Sequence, residues 1–407
     1  MRIPYNLLAY LFEFIMPLLT VISPKMKLFV VGRIHSKKTL QTADFSGNDW
    51  WWFHCASLGE FEQAVPLIEK IKTDTNKILV TFFSPSGYEI KKKHHLIDRA
   101  LYLPMDTPQN AKLLVGTVQP KAAFFIKYDF WENYFKALNG VQVPIYIVSS
   151  NFRKNQWYFK WYGSFFKKTL KRVTHFFVQN QLSVKVLQSN GFTNVSLSGD
   201  TRFDRVHAQL SMDNELDFVK QFKQNRTCVV LGSTWPDCEA AFVKAINTSS
   251  DNVCFIIAPH EIKAEKIKDL KKKLKQHVSV LSKGVDPLSK VLIIDAIGYL
   301  TKIYSQADIA YVGGAMGTTG MHNILEPAVF GVPILVGPNT QKFPEAKALE
   351  KHGGLQVVTN SESFKKVLFG LLANEPLRKK MGEAAKDFVQ SQVGATDSII
   401  AGIAYKD

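Results

Sequence analysis

The sequence predicts an α/β protein of two doubly wound, Rossmann-like domains, each a parallel sheet with helices on both faces. Three observations predict it. Short apolar runs rich in Val, Ile and Phe recur with helix-like stretches between them, the pattern of strands buried on both faces. These runs fall into two sets of seven, separated by a polar stretch without a buried strand from about Arg205 to Arg226. At 407 residues the chain also exceeds what one core of typical size accommodates.

The first element is "MRIPYNLLAYLFEFIMPLLTVISPKMK", apolar from Pro4 to Pro24 apart from Glu13 and a few polar residues. It approaches the roughly 20 residues that span a bilayer, but Glu13 and Pro17 sit inside it. Arg2 gives too thin a basic start for a cleaved signal peptide, and no small-residue cleavage pattern follows. Lys25, Lys27, Arg33, Lys37 and Lys38 come next. They suit an anionic cytoplasmic leaflet and a segment lying in the membrane surface or entering it shallowly. The competing expectation is a helix packed on the protein's own core. The expected organisation is a membrane-associated helical segment over 1–30, an N-terminal domain over 31–207 and a C-terminal domain over 208–407, its last helix packing back on the N-terminal domain. Two such domains are expected to face each other across a cleft lined by the carboxyl ends of their strands.

In the first half, strands are expected at Trp51–Ala56, Ile78–Phe83, Ala100–Leu103, Ala122–Ile126, Pro144–Val148, His175–Val178 and Val195–Leu197. "WWFHCASLGEFEQ" reads as a buried strand that gives way at Ser57-Leu58-Gly59 to a helix carrying Glu60 and Glu62. The helix start is expected to keep Glu60 ionised, Glu62 to be solvated, and Pro66 to kink the helix or end it early. "TFFSPSGYE" supplies Ser84 as a cap and Pro85 at the first helical position, which explains the motif structurally. Ser86 and Gly87 remain candidate ligand contacts. Lys91 to Lys93 with His94 and His95 read as a solvated helix face. No metal-ligand spacing such as H-E-x-x-H occurs, so no catalytic metal is expected. "FIKYDFWEN" ends a strand with Lys127, Asp129, Trp131 and Asn133 directed at the expected cleft. Arg153 then opens a run in which Lys154, Lys160, Lys167, Lys168, Lys171 and Arg172 alternate with Trp157, Tyr158, Phe159, Trp161, Phe165 and Phe166. Such a run stacks on nucleic-acid bases or grips lipid phosphates, and the apolar N-terminal segment favours the membrane.

In the second half, strands are expected at Cys228–Gly232, Val253–Ala258, Val278–Leu281, Val291–Ile294, Ile309–Gly313, Pro333–Val336 and Leu355–Val358. "ADIAYVGGAMGTTGMHNILEPAVFGVPILVGP" ends a strand at Gly313-Gly314, continues as a Gly-containing loop to Gly320, and is expected to begin a helix around His322-Asn323 with Glu326 in its first turn. Glycines let backbone approach a ligand, and a helix start offers N–H groups to a phosphate. A carboxylate one turn in can accept from a ribose diol. Ser233 and Thr234 in "LGSTW", His260 in "IIAPHE", and Asp295 and Gly298 in "IIDAIGYL" follow other strand ends. Each alone is explained as a cap or a satisfied polar group; together they ring one edge.

The net charge of +16 favours anionic partners such as nucleic acid, acidic lipid or a phosphorylated substrate. Cys55, Cys228, Cys238 and Cys254 lack both zinc-site pairing and a disulfide framework, and read as reduced core thiols of a cytoplasmic compartment. No period of a few tens of residues repeats, which excludes solenoids.

These motifs resemble the 3-deoxy-D-manno-octulosonic acid (Kdo) transferases of Gram-negative lipopolysaccharide synthesis, which have the GT-B glycosyltransferase fold. "HCASLGE", "SPSG", "LPMDTP", "GDTRFD", "GSTW", "GG" and "GMHNILEPA" stand in the family's order, from the hydrophobic N-terminus to about Phe343. The resemblance implies transfer of Kdo from CMP-Kdo to the glucosamine disaccharide of a lipid A precursor of the lipid IVA type, with inversion, at the cytoplasmic face of the inner membrane. It implies no further cofactor. The Glu of the family's S-x-G-E motif, the general base, falls on Glu60. Donor contacts fall on Ser233, Thr234, His260, Gly298, Gly313, Gly314, Asn323 and Glu326, with Lys263 supplying the cation where P-R-H is replaced by Ala258-Pro259-His260. Ser57, Gly59, Ser86, Gly87, Lys127, Asp129 and Arg153 are the candidate acceptor contacts. Lys127-Tyr128-Asp129 replaces the family's E-T-E, and Gly320-Met321-His322-Asn323 its G-G-H-N. The expected partners are CMP-Kdo, a lipid A precursor and an anionic membrane surface, and no nucleic acid. The competing readings are a membrane-associated GT-B glycosyltransferase using a UDP-sugar, a GT-B-type sugar epimerase, and a non-catalytic nucleic-acid binder.

Overall fold

Both sets of apolar runs form strands in the computed structural model, which describes residues 2–404. In the first half these are β1 Asp49–Cys55, β2 Asn76–Phe82, β3 Arg99–Tyr102, β4 Ala122–Ile126, β5 Ile145–Ser150, β6 His175–Val178 and β7 Val195–Leu197. They make one sheet in the order β3-β2-β1-β4-β5-β6-β7. In the second half β8 Thr227–Thr234, β9 Val253–Pro259, β10 Val278–Val280, β11 Val291–Ile293, β12 Ile309–Val312, β13 Ile334–Val336 and β14 Leu355–Val357 make another, β10-β11-β9-β8-β12-β13-β14. Every ladder is parallel. The strands read as unbroken apolar runs because helices cover both faces. All of Ala122–Ile126 is buried, and β1 sends Trp50 and Trp52 into one core and Phe53 and Cys55 into the other. Strand order reverses between β1 and β4, and between β8 and β12, the points where doubly wound sheets bind ligands beyond their carboxyl ends.

The chain divides into two units, Met1–Arg205 with Val393–Asp407, and Val206–Gln392. In the first unit the helices that matter below are α1 Arg2–Ile15, α2 Pro24–Thr42, α3 Leu58–Ile71, α4 Pro85–Lys91, α5 Pro108–Val118 and α6 Glu132–Gly140. The C-terminal helix Ala395–Ala404 packs on α3 in that same unit. It is held by Asp204, whose carboxylate accepts from Gly394 N at 2.7 Å and from Thr396 N at 2.6 Å. The "SGDTRFD" stretch thus closes the unit where the chain leaves it and returns. Asp200 accepts from Gln63 of α3 at 3.0 Å, and the Thr201 hydroxyl donates to the Gln63 carbonyl at 2.7 Å.

The segment Arg2–Val21 is long and apolar enough to cross a membrane by length and composition. Its polar residues, however, are used against the first unit. Tyr5 donates to Asp106 at 2.6 Å, Asn133 donates to Asn6 at 2.9 Å, and Glu13 accepts from Asn110 at 3.0 Å and pairs with Lys37 at 3.1 Å. Leu7, Leu8, Leu11, Phe14 and Leu18 remain exposed. Arg33 departs from the expectation of a membrane-facing cation. It is buried with its guanidinium 3.6 Å from the Phe29 ring centre and 4.6 Å from that of Phe83, and it donates to the Phe83 carbonyl at 2.8 Å. Pro66 does not end α3 early; the helix runs on to Ile71, its buried face filled by Phe61, Ala64, Val65 and Ile68.

The "LPMDTP" stretch caps two helices. Thr107 caps α5 by accepting from Asn110 N. Asp106 accepts from Asn133 N at 3.2 Å and Tyr134 N at 3.1 Å at the start of α6. Burial lifts the Asp106 carboxyl to a pKa of about 6, against these hydrogen bonds. Between pH about 4 and 6 the folded protein therefore holds a proton that the unfolded chain has released, and this group's contribution to stability falls as pH rises through that window. Asp106→Asn is expected to flatten that pH dependence, read by urea unfolding across the window. Asp106→Ala removes the acceptor of Tyr5, Asn133 and Tyr134 and is expected to cost about 2–4 kcal/mol at neutral pH.

Candidate active site

In the first unit the site grows from the carboxyl ends of β1 and β4. Strand β1 stops at Cys55, Ser57 takes an extended conformation (φ −143°) as the cap of α3 without a side-chain cap bond, and Glu60 falls in the first turn. The Glu60 side chain turns back, and its Oε2 accepts from Ala56 N at 2.5 Å. Glu60 is half-buried. Its proton affinity is raised, by burial first and then by Asp129, against Lys127, the Ala56 N–H and His54. The helix start is expected from the sequence to favour the ionised form of Glu60; withdrawal from water and a neighbouring carboxylate instead shift its proton affinity upward.

His54 is buried one residue before the end of β1, on the same face as Trp52. Its Nδ1 lies 2.9 Å from the Thr81 hydroxyl, its register partner on β2, and its Nε2 lies 2.9 Å from Asp129 Oδ2. Trp131 brings its indole N–H to 3.3 Å from the same Nε2 and stacks its ring on Phe83. Lys127, which opens the loop after β4, adopts a left-handed conformation at φ 66°, and Ser149 near the end of β5 does so at 53°. Non-glycine residues in this region mark strained backbone.

The other acceptor candidates sit around this cluster with differing freedom. Ser84 N donates to the Ala56 carbonyl at 2.9 Å, which joins the "SPSG" turn to the β1 loop. The Ser86 hydroxyl is 2.6 Å from that of Ser84. A Cβ on Gly87 would meet the Phe82 ring at 2.5 Å, so Gly87 is required by close packing, whereas nothing lies within 4 Å of one on Gly59. Arg153 is exposed and lies in electrostatic reach of Tyr128. Asn133 does not join them; it is buried and donates to the Asp106 carbonyl at 2.7 Å.

Two solvated groups expected from the sequence are engaged. Glu62 pairs with Lys91 and with Arg205, each at 2.8 Å. These cations outweigh burial and hold its carboxyl below the usual range. Helix α4 ends at Lys91. His94 and His95 therefore lie beyond it, with rings stacked 4.5 Å apart instead of pointing to different helix faces, and His94 also packs on Phe61.

In the second unit the candidates meet at the ends of β8 and β12. Ser233 is left-handed at φ 51°, and a Cβ on Gly313 would come within 2.2 Å of its carbonyl oxygen. Gly314 is left-handed at φ 95°. The Thr234 hydroxyl is buried without a hydrogen-bond partner, a group that a ligand can satisfy. His260 stacks between Trp235 and His322, at 4.5 Å from each. Trp235 donates to His322 Nε2 at 3.1 Å. Burial lowers the proton affinity of both imidazoles, that of His322 to a pKa of about 4. Lys266 lies over the Trp235 ring at 5.9 Å, while Lys263 is exposed and 3.5 Å from Glu261.

The helix expected from His322-Asn323 begins instead at Leu325 and ends at Val329. His322 N is spent on the Gly313 carbonyl at 3.1 Å, which keeps residues 313–324 a loop. Asn323 then accepts from Leu325 N at 3.2 Å and donates to Glu326 at 3.1 Å, and Thr301 donates to the other Glu326 oxygen at 3.0 Å. Gly298 is left-handed at φ 98° with nothing within 4 Å of a Cβ. Asp295 serves its own turn by accepting from Ser282 N at 2.9 Å. Among the described residues no group of three His, Cys, Asp or Glu is placed to hold a metal ion.

The family described as 3-deoxy-D-manno-octulosonic-acid transferase (kdotransferase) matches residues 30–205, which hold the whole Glu60, His54 and Asp129 cluster. The 3-deoxy-D-manno-octulosonic acid transferase of Haemophilus influenzae is 26% identical, over 86% of this chain and 85% of its own. That of Aquifex aeolicus is 28% identical, over 84% and 90%. The chain is thus similar to Kdo transferases over most of its length, and its residues 30–205 match their family model. These similarities indicate a glycosyltransferase. Its fold is of the GT-B class; a UDP-GlcNAc 2-epimerase from Neisseria meningitidis superimposes with a TM-score of 0.63 at 16% identity, over 88% of this chain and 100% of that one.

Sequence reading did not single out His54, Thr81, Trp235 and Lys266, which the structure brings to these candidate sites. The available signal was a histidine inside an otherwise apolar strand, six residues before Glu60. The two glycines give a paired prediction. Gly313→Ala forces the β8–β12 junction apart and is expected to lower stability by about 1–3 kcal/mol and weaken nucleotide binding. Gly59→Ala is expected to leave the melting temperature within about 2 °C of wild type, so any loss of transfer there reports on substrate contact. Thermal unfolding with and without CMP reads both.

Proposed function

We propose that this protein moves Kdo from CMP-Kdo to the glucosamine disaccharide of a lipid A precursor of the lipid IVA type, with inversion at the anomeric carbon and Glu60 as general base. The observation that carries the reading is the Glu60 carboxylate, half-buried at the switch point between β1 and β4, with its proton affinity raised by burial and by Asp129. A base of raised affinity accepts a proton more readily, provided it is ionised at the working pH.

In this scheme an acceptor hydroxyl attacks the anomeric carbon of Kdo, and the bond from that carbon to the CMP phosphate oxygen breaks. The hydroxyl proton passes to Glu60, and the bonding pair leaves with CMP. The second unit holds the nucleotide. Gly313 and Gly314 let the β8 and β12 loops pack closely at this end of the sheet, the Thr234 hydroxyl gains the partner it lacks, and Glu326 with Asn323 accepts from the ribose. Lys263 is exposed and available to the phosphate, where a cation stabilises the developing charge. On the acceptor side, Lys127 and Arg153 suit the phosphates of a lipid A precursor.

The membrane reading is peripheral attachment at the inner face of the cytoplasmic membrane. It is supported by α1, whose polar residues are tied to Asp106, Asn110 and Asn133 while its apolar residues stay exposed. Trp161, which is 88% exposed beside Lys160, extends that apolar and basic character. Such helices lie in the interface with their apolar side down.

Glu60→Gln keeps an acceptor for the Ala56 N–H and is expected to lower the rate of Kdo transfer by about a hundredfold or more. CMP is expected to raise the melting temperature of this variant as much as that of wild type. A rate within a few-fold of wild type contradicts the base assignment. Stabilisation by UDP in place of CMP contradicts the donor assignment.

A further inference from the structure

We propose that His54 is a positioning residue of the transfer reaction, acting by fixing the Asp129 carboxylate beside Glu60. The proposal rests on the reading of Glu60 as the base and deepens it.

An imidazole without solvent exposure in a strand of aromatic neighbours is costly unless both nitrogens are bonded. Both are, and their partners differ in kind. The Thr81 hydroxyl accepts from the Trp52 indole N–H at 2.8 Å and has its own proton free for His54 Nδ1 at 2.9 Å. Asp129 is a carboxylate that accepts, 2.9 Å from Nε2. With Asp129 ionised, the neutral tautomer that satisfies both partners carries its hydrogen on Nε2 and gives it to Asp129 while Nδ1 accepts from Thr81; the Trp131 N–H, 3.3 Å from Nε2, then makes no hydrogen bond to it. The orientation of Asp129 is thereby referred to the middle of the sheet, since Thr81 and His54 are register partners on β2 and β1.

The loop that carries Asp129 needs such a tether. It leaves β4 through the left-handed Lys127, and the Asp129 side chain is 24% exposed. The titratable groups that act on Glu60 are Asp129 and Lys127 from this loop and His54 from β1, and Glu60 in turn acts on the buried Cys55 thiol. Asp129 favours the protonated form of Glu60, and Lys127 and His54 oppose it. A carboxylate released from His54 would turn to solvent, leaving Glu60 with Lys127 and a weaker pull on the substrate proton. Holding a like charge in place for a neighbouring base is a task that burial alone does not perform.

The test compares pH profiles of kcat and kcat/KM for the full-length enzyme with CMP-Kdo and a lipid A precursor. Variants are His54→Gln, Asp129→Asn, their combination and Glu60→Gln, each checked for folding by thermal unfolding. Loss of the Asp129 charge in Asp129→Asn, or its turn to solvent in His54→Gln, lowers the proton affinity of Glu60. In His54→Gln this exceeds the rise from removing the opposing His54, since Asp129 is the larger influence. The acid limb of kcat/KM is therefore expected to move to lower pH in both single variants. The value of kcat is expected to fall by about tenfold, KM to stay within about twofold, and the double variant to be no slower than the worse single one. Should His54→Gln fail to fold, Thr81→Val removes the partner of Nδ1 and carries the same expectations. A folded His54→Gln or Thr81→Val enzyme with the limb unmoved and kcat within about twofold overturns the proposal, as do multiplying losses in the double variant. An inactive Glu60→Gln beside an unmoved His54→Gln overturns this inference alone, whereas a fully active Glu60→Gln overturns the base assignment as well.

Discussion

The site in the first unit depends on the parallel pairing of β1 with its two neighbours. The register that sets His54 opposite Thr81 on β2 and Phe125 on β4 brings the loop after Cys55 alongside the loop after Ile126. Glu60 comes with one loop, Lys127 and Asp129 with the other. A slip of one residue would turn His54 to the opposite face and leave Asp129 without a partner. Aromatic packing holds the register: Trp52 meets Phe125 and Tyr134 edge-on, and Phe53 stacks on Phe124 at 4.7 Å. The second unit repeats the device at β8 and β12, where Gly313 passes too close to the Ser233 carbonyl for any side chain.

Two of the motifs that carry the resemblance are structural in this chain. Asp106 and Thr107 of "LPMDTP" cap α6 and α5. Asp200, Thr201 and Asp204 of "SGDTRFD" tie α3 and the returning C-terminal helix to the point where the chain leaves the first unit. Chemistry concentrates in fewer residues, and those show the marks of a site: raised proton affinity at Glu60, strained backbone at Lys127 and Ser233, and an unpartnered buried hydroxyl at Thr234. The N-terminal segment follows the same economy, since Glu13, out of place in a membrane span, is a docking residue for α5 and α2.

The strands were legible because a strand covered on both faces has to be apolar along its length, and helices between them have a different period. Residues whose meaning depends on long-range pairing were not. His54 is one apolar-strand histidine until β2 supplies Thr81 beside it. Glu62 looked solvated because its partner Arg205 is 143 residues away. Arg33 looked like a surface cation because the rings that enclose it come from Phe29 and from distant Phe83. The start of the helix near Glu326 was misplaced because a loop hydrogen bond, from His322 N to Gly313, competes with helical pairing there. Glu60 itself was found by position, but the sign of its electrostatics was not, since burial and Asp129 are properties of the folded unit.

The measurement that bears most directly on the whole account is the mass and anomeric configuration of the product formed by purified protein from CMP-Kdo and a lipid A precursor. The account predicts a product heavier by whole Kdo residues, with release of CMP and a configuration opposite to that of the donor. Unchanged acceptor with CMP-Kdo, beside transfer from a UDP-sugar or retention of the donor configuration, would contradict it.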